Sequence, residues 1–168
     1  MQFLIWLEQT PLSVWIREST SLWAFPFILF LHTLGLAFVG GIGVAFNVWI
    51  LGFGAKHPIA PMRQFFPIMW TGFTINLISG ILLLAAYPAK ALTNWVFYVK
   101  IALVVLAVVE LEWARKLAFT DADPRAPLER TPVLRVLAIG SLLLWAGAVL
   151  TGRLLAYTHR MLMASEPF

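Results

Sequence analysis

Four apolar stretches, at residues 21–51, 66–87, 95–117 and 132–157, make up most of this 168-residue chain. A helix needs about 20 apolar residues to cross the hydrocarbon of a bilayer, and each stretch supplies them. Lipid offers backbone amides no hydrogen-bond partners, so a spanning segment of this kind must be helical. The expected fold class is therefore all-α: an integral membrane bundle of four transmembrane helices. Little length remains outside the spans, so residues 1–168 read as a single membrane domain. Residues 3–18 read as a short N-terminal interfacial helix, with Thr10 as its cap and Pro11 at its first position. They lack the basic start and small-residue cleavage site of a signal peptide.

Composition narrows the function classes. Hydrophobic residues make up 61% of the chain and charged residues 12%, whereas a soluble domain is about a quarter charged. The net charge of +4 is carried by loops around an apolar bundle. There it reads as a topology signal and a headgroup contact rather than a nucleic-acid surface. There is no cysteine, which excludes disulfides, thiolate metal sites, iron–sulfur ligation and cysteine nucleophiles. No nucleotide-binding loop or hydrolase motif is present. The run GGIGVAF, residues 40–46, lies inside the first span and reads as a helix-packing surface. The chain is accordingly expected not to be catalytic on its own.

Two rows of small residues point to close helix packing. Ala37, Gly41 and Ala45 repeat every four residues in the first span, and Gly72, Asn76 and Gly80 do so in the second. Lys and Arg set the orientation. The side with the loops joining spans 1–2 and 3–4 holds Lys56, Arg63, Arg115, Lys116, Arg125, Arg130 and Arg135. The side with the termini holds Arg17, Lys90 and Arg160, with Arg153 at its edge. The positive-inside rule then places both termini outside a bacterial inner (cytoplasmic) membrane crossed several times.

Ionisable and amide groups inside a span are the most informative residues, because lipid penalises them unless protein satisfies them. His32 lies roughly 18 Å into the first span at 1.5 Å per residue. It is the candidate metal ligand, as an axial histidine of haem b. It reads equally as a histidine hydrogen-bonded within the bundle. His57 and His159 do not share its depth, so a bis-histidine site lacks a matched partner. Lys100, Arg153 and Tyr157 belong to the same outer half. With His32 they form the candidate cofactor-binding set, suited to haem propionates, a quinone carbonyl or a lipid phosphate. Snorkelling of Lys100 and Arg153 to the headgroups is the plainer alternative. Asn47, Asn76 and Glu110 are polar residues at membrane depth, and Glu110 is expected to pair with Asn47. Glu112 precedes Arg115 and Lys116 by three and four residues, the spacing of a surface ion pair.

Three stretches carry a resemblance: WLEQTPLSVWIRES near the start, FLHTLGLAFVGG in the first span and SLLLWAGAVLTGRLLAY in the fourth. Together they resemble a family of small bacterial four-span membrane proteins, a domain of unknown function. That family is similar in layout to copper-resistance D-type proteins and to membrane b-type cytochromes. The resemblance implies that His32 and Arg153 belong to a recurring pattern. The chain departs from it at Asn47, where an acidic residue is the norm. It departs again at ELEW, residues 110–113, where an asparagine and a late histidine are usual.

The function expected from these observations is a non-catalytic membrane subunit or anchor of an electron-transfer or respiratory assembly. It would bind haem b or quinone in the outer half. Its partners would be the lipid bilayer and membrane or periplasmic proteins, or further copies of itself. The alternative is a small transporter or metal-handling membrane protein.

Overall fold

A computed structural model describes residues 6–53, 60–120 and 131–164, with side chains placed for all of them except 60, 120 and 156–164. Among the described residues the regular structure is all helical, with no strand. A short helix α1 (Pro11–Glu18) precedes the long α2 (Phe25–Val48), which runs on through a π-helical turn, Trp49–Phe53. A 3-10 turn, Ala60–Phe65, leads into α3 (Phe66–Ala86). The small α4 (Pro88–Leu92) then precedes α5 (Trp95–Thr120) and α6 (Pro132–Ala164).

The helix boundaries have local causes. Thr10 accepts a hydrogen bond from the Ser13 amide at the start of α1, with Pro11 in the first turn. The first long helix begins later than its apolar run. Ser19 and Ser21 accept from the amides of Ser21 and Trp23, holding a turn that delays α2 until Phe25. Pro26 occupies the first turn of α2, where its missing N–H costs no intrahelical bond. Gly52, at φ 126°, lets the chain leave the π-helical turn through a conformation that residues with a β-carbon rarely adopt. Asn94 accepts from the Val96 amide at the start of α5, and Thr131 from Leu134 at the start of α6.

Three helical segments are long and apolar enough to cross a membrane: Phe25–Phe53, Pro61–Ala86 and Pro132–Leu155. They mark the chain as a membrane protein. At 26 residues α5 matches them in length, about 39 Å at 1.5 Å per residue. It also carries Lys100, Glu110, Glu112, Arg115 and Lys116, which lower its hydropathy.

The long helices pack as two hairpins, α2 with α3 and α5 with α6, and α2 meets α6 between them. The core sits at one end, where Phe46, Phe66 and Phe119 form an aromatic triangle with ring centroids 5.2–6.2 Å apart. Leu111, Ala114, Leu137 and Ala138 pack around it. That end is the inner one in the orientation read from Lys and Arg. Trp70 on α3 donates to Glu112 on α5, tying the hairpins together there. At the opposite end α1 lies across α3 and buries Ser13 and Ile16. Ser13 and Arg17 both donate to the Ala86 carbonyl, one of the carbonyls a helix end leaves without an intrahelical partner.

Candidate functional site

His32 is held by α3. Its Nδ1 lies 3.0 Å from the Asn76 carbonyl oxygen and 3.2 Å from the Ser79 hydroxyl. The Ser79 hydroxyl donates to the Ile75 carbonyl, so it too faces Nδ1 as an acceptor. A carbonyl can only accept; Nδ1 therefore carries a proton, and in the neutral ring Nε2 keeps its lone pair. The contact is reciprocal, because the Asn76 side-chain amide donates 2.6 Å to the His32 carbonyl. Gly80 makes room for the ring: a methyl group there would stand 3.1 Å from His32 Cε1. Gly35, one turn along α2, lets the backbones meet, since a methyl group on it would stand 2.6 Å from the Gly72 carbonyl oxygen. An imidazole whose Nδ1 is pinned to backbone while Nε2 is bare has the arrangement found in ligating histidines.

Lys100 approaches from α5. Its ammonium acts electrostatically on the His32 ring, and its Cε would lie 3.8 Å from a methyl group on Gly152 of α6. Among the described residues Lys100 has no acidic partner. The Arg153 side chain, by contrast, is exposed. Helical rotation explains the split. Gly152 faces α5, and the next residue points about 100° away. The Tyr157 side chain, the His159 side chain and His57 lie outside the described side chains.

The end of the bundle that holds the aromatic triangle gathers a second set. Asn47 is fully buried and donates to Ser141 on α6 at 2.9 Å, rather than pairing with Glu110. The Glu110 carboxylate instead lies against Gly140, so close that a β-carbon there would collide with it. Asn47 Oδ1, Glu110 Oε2 and the Trp145 indole nitrogen are buried without hydrogen-bond partners among the described residues. Glu112, two residues on, is fully engaged, taking three hydrogen bonds of 2.7–3.0 Å from Arg115.

Two of these partners escape a reading of the sequence. Ser79 and Ser141 are among the buried polar residues, yet serine in an apolar run is common and carries no depth signal. Ser79 follows Asn76 by three residues, which places both on one helix face and was the available clue. The predicted row Ala37, Gly41, Ala45 faces outward, and a methyl group on Gly41 would meet nothing within 4 Å. Gly41 lines an open apolar hollow of about 660 Å³ between α2 and α6, with Ala37, Gly40, Trp145 and Ala146 among its walls. His32 is not among the residues that line it. No group of three or more His, Cys, Asp or Glu side chains suited to a metal occurs among the described residues.

No family model matches the chain, nor does any curated protein or solved structure.

Proposed function

We propose that this chain is a four-span, non-catalytic subunit of a membrane electron-transfer assembly that holds a quinol-type ligand in its outer half. In this reading α5 is the fourth span and the termini lie outside a bacterial inner membrane. One observation supports the ligand assignment: His32 keeps its Nδ1 on the Asn76 carbonyl and the Ser79 hydroxyl, while Lys100, without an acidic partner among the described residues, lies near enough for its charge to act on the ring. A group joining the two must donate to the histidine and accept from the lysine. A phenolic hydroxyl does both, and a lipophilic hydroquinone reaches membrane depth. Lys100 would also stabilise negative charge developing on the ligand oxygen.

Haem b suits the site less well. Gly80 sets the His32 ring edge against α3, and the open hollow between the hairpins is lined by Leu36, Trp145 and their neighbours rather than by His32. No described side chain offers a second axial imidazole. The subunit assignment draws on the outward row Ala37, Gly41, Ala45. In a bilayer such a row accepts the transmembrane helix of a partner, because small residues let helices approach closely.

The test uses protein in lipid nanodiscs and a photoreactive short-chain quinone reduced to its quinol. Labelling is expected on α2 and α5, and to be lost in both His32→Ala and Lys100→Met. Equal labelling of wild type and variants overturns the ligand site. A Soret band in the wild type that disappears in His32→Ala replaces the quinol with haem.

A further inference from the structure

The junction of α2, α5 and α6 holds polar atoms that the outer-half site leaves unused. Asn47 is fully buried, and its Oδ1 accepts no hydrogen bond. Glu110 Oε2 is likewise buried and unpartnered, and the carboxylate has no ion pair among the described residues. The two side chains approach the same turn of α6 from opposite helices. Glu110 touches Gly140 from α5, while Asn47 holds the next residue, Ser141, from α2. The three helices meet one turn further along: a methyl group on Gly43 of α2 would stand 3.6 Å from Leu111 of α5 and 3.5 Å from the Trp145 nitrogen of α6.

The unmet needs are two acceptor oxygens and one negative charge. A water molecule donates to both oxygens but leaves the partly buried carboxylate without a counter-ion. A small cation answers both needs. The donor set is a carboxylate, an amide oxygen and a hydroxyl, all hard oxygens, with no thiol or imidazole in the set. Such ligands suit alkali and alkaline-earth ions rather than soft transition metals. One carboxylate balances one positive charge, whereas a divalent ion would leave a net positive charge. The Trp145 nitrogen is a donor and takes no part in ligation.

We propose that Glu110, Asn47 and Ser141 form an inner-half site for a monovalent cation of the sodium class. The site stands apart from His32 and Lys100, so its success or failure is independent of the quinol assignment. The experiment measures radioactive sodium binding to the purified protein in nanodiscs. A parallel measurement follows the thermal unfolding midpoint in sodium chloride against choline chloride at equal ionic strength. Wild type is expected to bind sodium saturably and to unfold at a higher temperature in sodium. Glu110→Gln is expected to abolish both effects, and Ser141→Ala to weaken binding by about tenfold. Glu112→Gln is expected to leave sodium binding intact, since Arg115 and Trp70 engage that carboxylate. Absence of saturable binding in the wild type overturns the site, as does unchanged binding in Glu110→Gln. Should Glu110→Gln fail to fold, unweakened binding in Ser141→Ala overturns it alone.

Discussion

The two hairpins solve the same packing problem by different means. In the α2–α3 hairpin the glycines set backbone against backbone: Gly35 lies on the Gly72 carbonyl, and Gly72 on the β-carbon of Phe38. Reciprocal bonds between His32 and Asn76 lock the register. In the α5–α6 hairpin the glycines receive side chains instead. Gly140 faces Glu110, Gly147 faces Leu103 and Gly152 faces Lys100. A rigid contact leaves the first hairpin no slack. The second ends its close contacts on flexible side chains, two of them charged and without an ion pair among the described residues. The first hairpin thus holds His32 in one orientation, while the second brings charge to it. Scaffold and charge reside on separate helix pairs.

This contrast is open to matched substitutions. The largest effect is expected for Gly35→Leu, which drives a branched side chain into the α3 backbone. Overpacking of this kind costs about 3 kcal/mol, measured as unfolding in mixed detergent micelles. Gly72→Ala comes next, at about 2 kcal/mol, because the Phe38 β-carbon cannot retreat. Asn76→Ala removes the bond to the His32 carbonyl and is expected to cost about 1 kcal/mol, within the range of interhelical bonds in membranes. Gly140→Ala makes the same chemical change as Gly72→Ala. The Glu110 carboxylate can swing aside, so a shift of no more than about 0.5 kcal/mol is expected. Equal losses at Gly72 and Gly140 would erase the distinction between the hairpins. The smallest effect belongs to Gly41→Leu, expected to stay within about 0.5 kcal/mol in the isolated chain. The same variant should lose co-purifying partners, because its side chain fills the outward groove.

Much of the fold was legible before the structure. Helices and three spans follow from the length and apolarity of the runs, and Thr10 marked a real helix start. The start of α2 was read early, because Ser19 and Ser21 cap a turn rather than the helix. Of the candidate site, Asn76 and its row Gly72, Gly80 were legible, since a mid-span amide needs protein partners and glycines flank it at helical spacing. The equally regular row at Ala37 faces outward, and nothing in its spacing separates the two. Arg153 and Lys100 also looked alike in the sequence. One is exposed and the other packs toward Gly152 of α6, a difference set by helix rotation.

The sequence by itself determined the solvent, the helices and the few polar groups that must find partners in lipid. Those properties depend on composition and on spacing along one helix. Only the tertiary structure decided which partners they found: His32 with Asn76 and Ser79, Asn47 with Ser141 instead of Glu110, Glu112 with Arg115 and Trp70. Partner choice depends on the rotation and depth of one helix against another. Apolar surfaces specify neither sharply, and contacts between residues far apart in the chain set both.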